Sequence, residues 1–289
     1  MVAATYASVS VAAVLICAKM GAWLFTDSVS LLSSLVDSLL DAAASLVNLF
    51  AVRQALQPAD QEHRFGHGKA ESLAGLAQAA FIAGSGVFLL LESVERIISP
   101  NAIENGPIGI AVMGFSIVLT VGLVGFQMYV VKRTGSVAIS ADSLHYHIDI
   151  LINFAVIVSL ILASFGGWIL ADPLFAILIV AYMSIGAYKI LRQSLNDLMD
   201  TEFPEEDRAR IRDIVLEHPK VHEIHDMRTR SSGPYSFIQL HIEMDHDITL
   251  LEAHNISDQV MYKVEAAFPN TEVLIHQDPE GIEERRDHL

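Results

Sequence analysis

The sequence predicts an α-helical membrane protein with six transmembrane helices, followed by a small α+β domain. Two observations carry this prediction. Hydrophobic residues make up 52% of the 289 positions and charged residues only 18%, whereas about a quarter of a soluble domain is charged. The apolar residues are also concentrated in long runs over the first two-thirds of the chain, and a charged segment begins at about Asp197. We therefore expect a membrane domain over residues 1–196 and a second domain over residues 197–289.

The membrane domain is predicted from segments long enough to cross a bilayer. A hydrocarbon core about 30 Å thick is spanned by ~20 apolar residues in a helix. Six segments meet this length, at about 7–26, 30–56, 72–98, 107–131, 138–165 and 171–196. The first of them is interpreted as a retained span, because no small-residue cleavage signal follows it.

The orientation follows from the basic residues near the ends of the spans. If six spans alternate, one side of the membrane carries seven basic residues: Arg53, Arg64, Lys69, Lys132, Arg133, Lys189 and Arg192. The opposite side carries only Arg96. The positive-inside rule then places both termini in the cytoplasm.

The second domain is predicted to have the order helix, strand, strand, helix, strand. The segments are 204–217, 221–230, 237–243, 249–267 and 271–277, and alternation of apolar and polar residues marks the middle strand. Residues 197–289 hold 9 Lys/Arg against 22 Asp/Glu, and this acidity argues against a nucleic-acid partner. Cys17 is the only cysteine, so any metal site is expected to use histidine and carboxylate ligands.

Ionisable side chains within the predicted spans indicate a metal site. Asp37 and Asp41 lie in the second span, and His145 and Asp149 lie in the fifth. Charged groups at bilayer depth cost at least ~2.5–3.5 kcal/mol each, and the spacing of four places each pair on one helix face. Four oxygen and nitrogen donors suit tetrahedral Zn²⁺ and also admit Fe²⁺, Cd²⁺ or Mn²⁺. The alternative is that these groups satisfy one another or contact water, but two matched pairs favour a metal site.

Two further ionisable residues accompany the second pair. Asp142 lies near the start of its helix, where a carboxylate favours the positive end of the helix dipole. We interpret it as structural or as part of an entrance, and as an additional candidate ligand. His147 lies two residues from His145 and is expected to point away from the site.

Histidines outside the spans form two weaker patterns. Asp60, His63 and His67 in the loop at 57–71 predict either a three-ligand metal site or a polar connector, and spacing alone leaves both open. Five donors of the second domain could converge on one or two metal ions or be separate surface groups: His225, His241, His254, His276 and Asp278. We assign the remaining histidines of this domain to the surface: His218, His222, His246 and His288.

The donor set also suggests how transport would be driven. Metal binding requires deprotonated ligands, so metal loading expels protons and arriving protons expel metal. Competition of this kind suits an antiporter rather than an enzyme. No P-loop pattern for nucleotide binding is present, which makes an ATP-driven pump the weakest alternative. A metal-gated passive channel and a membrane-anchored metal sensor stay open.

Four motifs together resemble the cation diffusion facilitators over essentially the whole chain. They are Asp37-Ser-Leu-Leu-Asp41, Phe65-Gly-His-Gly-Lys69-Ala-Glu71, His145-Tyr-His-Ile-Asp149 and Ile275-His-Gln-Asp-Pro279. The resemblance implies a homodimeric zinc/proton antiporter of the bacterial inner membrane, also accepting Cd²⁺ and Fe²⁺. It further implies six spans and a cytoplasmic domain of the metallochaperone, or ferredoxin-like, type.

The resemblance also implies roles for individual residues. A transport site would consist of Asp37, Asp41, His145 and Asp149. A loop site would consist of Asp60, His63 and His67. A pair of zinc ions at the interface of the cytoplasmic domains would be bound by His225, His241, His254, His276 and Asp278, with Gln277 as a further candidate. Leu144 and its apolar neighbours are expected to close the transport path.

Overall fold

The computed structural model describes residues 1–27, 29–98, 107–166, 168 and 170–281. The chain divides into two compact units, Met1–Leu195 and Asn196–Leu289. His288, assigned above to the surface, lies outside the described residues.

Unit 1 consists of long helices, and six are present in the described part of the chain. Their bounds are α1 Val2–Thr26, α2 Val29–Ala55, α3 Lys69–Ile98, α4 Pro107–Thr134, α5 Val137–Gly166 and α6 Ala171–Leu198. Proline lies in the first turn of α4 and of α6, where its missing N–H removes no helical hydrogen bond. Asp27 ends α1 in the left-handed conformation, with φ of 51° and its N–H bonded to the Trp23 carbonyl.

Five of these helices are long and apolar enough to cross a membrane, over the residues that the structure describes. The spans are Val2–Thr26, Leu31–Ala55, Lys69–Glu95, Ala111–Thr134 and Ala171–Leu198. The remaining helix, α5, has 30 residues but carries Asp142, His145, His147 and Asp149 in its first half. The six predicted helices are therefore present. Length and hydropathy identify five of them as spans.

Close contacts between helices in unit 1 depend on small residues. Gly75 of α3 approaches Val137 and Ser194, and Gly186 of α6 approaches Leu144. Small residues allow helix backbones to pack closely where lipid, rather than water, surrounds the bundle. Helices α3, α5 and α6 share an apolar core of Ile82, Ile148, Ile179, Met183 and Ala187.

Unit 2 has the predicted order of elements. They are α7 Glu205–Leu216, β1 Glu223–Ser232, β2 Tyr235–Met244, α8 Leu250–Ala267 and β3 Thr271–Pro279. The sheet order is β1-β2-β3; β1 pairs antiparallel with β2, and β2 pairs parallel with β3. The Thr249 hydroxyl caps α8 by accepting the Glu252 N–H. Both helices contribute to one apolar core, which includes Ile211, Val215, Ile238, Leu240, Ile242, Ile256, Val260 and Val264.

The strand register of unit 2 brings its histidines together. His241 of β2 is opposite His225 of β1 and also opposite His276 of β3. A bulge interrupts the pairing of β1 between His225 and Arg228, and Asp226 within it has φ of 46°. Three imidazoles therefore lie side by side on neighbouring strands.

Candidate metal centres

The first candidate centre lies within unit 1 between α2 and α5. His145 Nε2 is 2.8 Å from Asp41 Oδ1 and 3.9 Å from Asp149 Oδ2. One donor atom from each of these residues lies within 4.8 Å of the others, and the His145 residue is only 7% exposed. Asp37 does not join this group, although it precedes Asp41 by one turn on the same helix face. The structure thus brings together three of the four predicted ligands.

Aromatic rings hold the His145 imidazole in place. The Phe81 and Tyr146 rings each lie 5.6 Å from the imidazole, measured between centroids, in edge-to-face arrangements. Such contacts favour one ring orientation. The nitrogen Nε2 is consequently directed at the two carboxylates.

A lysine that sequence reasoning missed lies near this centre. Lys19 Nζ on α1 donates a hydrogen bond to Ser38 Oγ at 2.7 Å and one to the Ser34 carbonyl at 3.2 Å. The charges with which it interacts are Asp41, Asp149 and Asp37. Lys19 is the only charged residue between Val2 and Thr26, and that isolation within an apolar run could have identified it.

Asp142 belongs to a separate buried polar network. Its carboxylate accepts hydrogen bonds from Ser8 Oγ at 2.5 Å and Gln127 Nε2 at 2.7 Å. A third hydrogen bond comes from Ser45 Oγ at 3.4 Å, and Ser45 also bonds the Tyr146 hydroxyl. The residue is 1% exposed. This network joins α1, α2, α4 and α5, which supports the structural interpretation of Asp142 over that of a ligand or entrance.

The second candidate centre lies in the loop between α2 and α3. His63 Nδ1 and His67 Nε2 each lie 3.4 Å from an oxygen of the Asp60 carboxylate. The same carboxylate accepts the backbone N–H of His63 at 2.6 Å and of Glu62 at 2.9 Å. These hydrogen bonds, chiefly the one from His63, hold the pKa of Asp60 below its ordinary value. Gly66, with φ of 76°, lets the loop turn between the two histidines.

The third candidate centre lies on the sheet of unit 2 around Asp278. Asp278 Oδ2 is 2.8 Å from His241 Nδ1 and 3.4 Å from His225 Nε2, and Oδ1 is 3.1 Å from His276 Nε2. Asp278 is 4% exposed, and Oδ1 is buried without a hydrogen-bond partner. A buried carboxylate that faces three imidazoles and has one oxygen without a donor fits a bound cation. Glu243, which sequence reasoning missed, adds a carboxylate 3.4 Å from His225 Nε2.

Two predicted ligands of unit 2 do not join this centre within one protomer. His254 lies on α8 beside Asp258, and its side chain is 61% exposed. Gln277 donates its amide hydrogen to Ser257 Oγ at 2.8 Å. The Gln277 side chain therefore contacts α8 rather than the Asp278 cluster.

Comparison with known proteins decides the family. Residues 5–199 match the model of the cation efflux transmembrane domain, and residues 203–280 match that of the cation efflux protein cytoplasmic domain. The chain belongs to the cation diffusion facilitator (cation efflux) family. As a cation efflux protein it is a transporter rather than an enzyme, with a helical transmembrane domain and a small cytoplasmic α/β domain. The family resemblance predicted from the four motifs is confirmed.

Several bacterial proteins are similar over nearly the full length. The Cation-efflux pump FieF of Shewanella oneidensis is 46% identical over 280 residues, covering 97% of this chain and 94% of that protein. The protein of the same name from Citrobacter koseri is 47% identical over 276 residues, covering 96% and 92%. Divalent metal efflux across a bacterial membrane is the activity that this family membership supports.

Solved structures match less than a third of this chain. The Zn form of the putative zinc transporter CzrB is 35% identical and covers 30% of this chain and 99% of that one, with a TM-score of 0.28. The metal-bound C-terminal domain of the CzcD transporter from Thermotoga maritima is 28% identical and covers 27% and 93%, with a TM-score of 0.27.

Proposed function

We propose that this cation efflux protein is a proton-coupled antiporter of the bacterial inner membrane that exports divalent transition-metal cations. Zn²⁺ is the principal substrate, and Cd²⁺ and Fe²⁺ are also carried. The observation that carries the proposal is the contact of His145 with Asp41 and Asp149 across two helices of the membrane domain. In this proposal α5 also crosses the membrane, which brings the number of spans to six. Both termini are cytoplasmic.

The donor chemistry supports the choice of substrate. Carboxylate oxygens and one imidazole nitrogen suit Zn²⁺, Cd²⁺ and Fe²⁺ better than Mg²⁺, which prefers oxygen ligands alone. Asp41, His145 and Asp149 supply three donors, and Asp37, one turn earlier on α2, is proposed as the fourth. The cation here is the substrate, so it must leave as well as bind.

Proton coupling follows from the same ligands. A metal ion binds imidazole and carboxylate in their deprotonated forms, so binding releases protons from the centre. Protons that return from the opposite side of the membrane then displace the metal. A proton gradient thereby drives cation export without nucleotide hydrolysis.

The Asp278 cluster is proposed to hold structural zinc. Its three imidazoles and buried carboxylate provide nitrogen and oxygen donors of the kind that Zn²⁺ prefers. We propose that this zinc joins the cytoplasmic domains of a homodimer, with His254 and Gln277 contributing there. The loop centre of Asp60, His63 and His67 is proposed to bind a further divalent cation.

Reconstituted vesicles provide the test. Purified protein in sealed liposomes should accumulate Zn²⁺ against its own gradient when a pH gradient is imposed. Asp41→Ala, Asp149→Ala and His145→Ala should abolish this accumulation. His147→Ala is the matched control, because His147 lies two residues from His145 but outside the cluster, and it should retain transport.

Two results would contradict the proposal in different ways. Zinc flux that only follows the zinc gradient, whatever the pH gradient, would indicate a metal-gated passive channel. Full flux in Asp41→Ala and Asp149→Ala would show that the group of Asp41, His145 and Asp149, here termed the intramembrane cluster, serves assembly or sensing rather than transport.

A further inference from the structure

A group of potential metal ligands that belongs to none of the three centres lies at one edge of the sheet in unit 2. It consists of His222, Asp245 and Glu280, here termed the strand-end triad. His222 Nδ1 is 2.8 Å from Glu280 Oε2, and His222 Nε2 is 3.7 Å from Asp245 Oδ1. One donor atom from each residue lies within 4.8 Å of the others.

The sheet topology explains why these three residues meet. His222 immediately precedes β1, Asp245 immediately follows β2, and Glu280 immediately follows β3. Because β1 is antiparallel to β2 and β3 is parallel to β2, the start of β1 lies beside the ends of β2 and β3. The three positions therefore share one edge of the sheet, the edge formed by these strand ends. The backbone is fixed on both sides, since the His222 N–H bonds the Glu243 carbonyl at 2.9 Å and the Glu280 N–H bonds the Met244 carbonyl at 2.8 Å.

The distance between donor atoms that groups the ligands of the three centres also groups the triad, which supports its interpretation as a metal site. Among the described residues, five groups of histidine, aspartate and glutamate place their donor atoms within 4.8 Å of one another. Four of them are built on ligands predicted from the sequence, with Asp226 as an addition to one. The triad is the fifth group.

We propose that the strand-end triad binds a divalent transition-metal cation, in addition to the centre around Asp278. One imidazole nitrogen and two carboxylate oxygens form a donor set that Zn²⁺, Co²⁺ and Fe²⁺ accept, and the imidazole disfavours Mg²⁺ and Ca²⁺. The side chains of His222, Asp245 and Glu280 are 35%, 57% and 51% exposed. The site is therefore open to solvent, and water completes the coordination.

The exposure of the triad sets its affinity relative to the Asp278 cluster. Three ligands in contact with water bind a cation more weakly than a buried carboxylate surrounded by imidazoles. The triad consequently fills at higher metal concentrations than the Asp278 cluster. Because each ligand is attached to a different strand, the bound cation links all three strands at this edge of the sheet.

Metal stoichiometry in the full-length, detergent-solubilised protein tests the proposal independently of transport. Zn²⁺ bound at equilibrium should fall by one equivalent per protomer in both His222→Ala and Glu280→Gln. With Co²⁺ as the probe, the visible absorbance assigned to the last equivalent should disappear in both variants. His246→Ala is the matched control: its side chain is 73% exposed and contacts Asp247, outside the triad, so it should retain every equivalent.

If His222→Ala is unstable, Glu280→Gln still tests whether the triad binds metal. Glutamine at position 280 keeps a hydrogen-bonding side chain and the same backbone N–H, so thermal unfolding of the metal-free protein should match that of the wild type. Wild-type stoichiometry in Glu280→Gln and in folded His222→Ala would overturn the proposal and leave His222 as an ion-pairing histidine. A lost equivalent here alongside failed transport in vesicles would refute the antiport proposal alone.

Discussion

Gly186 of α6 lies so close to Leu144 of α5 that a β-carbon at position 186 would be 2.5 Å from Leu144 Cδ2. Leu144 directly precedes His145, and it also packs against the apolar core shared by α3, α5 and α6. The contact with Gly186 therefore fixes the position of α5 at the intramembrane cluster.

Gly186→Ala is expected to destabilise the membrane domain. Either Leu144 or α6 must shift to admit the added methyl group, and overpacking of this kind costs about 1–3 kcal/mol. The midpoint of thermal unfolding in detergent should fall by several degrees, and zinc transport should slow. Gly125→Ala on α4 is the control, because a β-carbon there meets nothing within 4 Å and alanine favours a helix over glycine. Equal unfolding midpoints for the two variants would contradict the close packing.

Asp142→Ala is expected to destabilise the helical bundle while leaving metal binding intact. Ser8 can still donate to the Ala4 carbonyl, and Gln127 Nε2 still donates to Ser8 Oγ. Removal of the carboxylate therefore leaves one hydrogen of the Gln127 amide buried without an acceptor, at a cost of about 1–3 kcal/mol. Asp142→Asn should lose less, since its amide oxygen still accepts a hydrogen bond. Thermal unfolding and zinc stoichiometry measure the two effects separately. A lost equivalent of zinc in a stable Asp142→Asn protein would instead make Asp142 a ligand.

Lys19→Met is expected to tighten zinc binding at the intramembrane cluster. The ammonium group repels an incoming dication, and charge interactions near a protein surface exceed 1 kcal/mol over several ångströms. Removal of this charge should lower the dissociation constant about tenfold, equivalent to ~1.4 kcal/mol. Titration of zinc into proteins that lack the loop ligands, the Asp278 cluster and the strand-end triad isolates the effect. Lys19→Arg keeps the charge and should bind like the wild type; equally tight binding by the arginine and methionine variants would point to a steric cause.

The pH dependence of the loop centre is expected not to involve Asp60. Its pKa is lowered by the hydrogen bond from the His63 N–H, so ionised Asp60 stabilises the loop above its ordinary pKa. That stabilisation disappears only as the pH falls through the lowered value. Between pH 7 and pH 5, protonation of Asp60 should therefore cause no loss of metal from this loop.

Asp60→Asn tests whether Asp60 takes part in the pH dependence. The amide oxygen can still accept the two backbone N–H groups, so the loop should keep its turn while its metal affinity falls. With each protein at the same multiple of its own dissociation constant, metal release should have the same pH midpoint in wild type and variant. A shifted midpoint would assign the titration to Asp60.

Hydrophobicity and charge predicted much of the fold, because both act over whole segments. Runs of apolar residues identified the six helices of unit 1, and the alternation around Leu240 identified a half-buried strand. Pro107 and Thr249 lie at the starts of α4 and α8, in agreement with the predicted starts at 107 and 249. In contrast, α1 and α3 begin at Val2 and Lys69, before the predicted 7 and 72. Family membership also followed from motifs whose residues lie close together in the chain.

The sequence was less informative where contacts depend on register between elements. Asp41 and Asp37 are equivalent in spacing and charge, yet only Asp41 contacts His145, because the axial positions of α2 and α5 decide the distance. Ser8 and Gln127 are neutral, so nothing in the sequence marked them as partners of Asp142.

The strand-end triad shows the same limitation in unit 2. His222 was assigned to the surface, since neither Asp245 nor Glu280 is near it in sequence. Only the antiparallel pairing of β1 with β2 and the parallel pairing of β2 with β3 bring the three residues to one edge.

In the proposed transport site the ligands are divided between α2 and α5, so cation affinity there depends on helix position. Asp41 moves with α2, whereas His145 and Asp149 move with α5. A helix rises 1.5 Å per residue, so a relative slide of a single residue displaces Asp41 by about 1.5 Å relative to the other two donors. This displacement is several times the ~0.2 Å tolerance of a metal–ligand distance. A small axial displacement of one helix would therefore change the affinity for the transported cation, while every side chain keeps its rotamer.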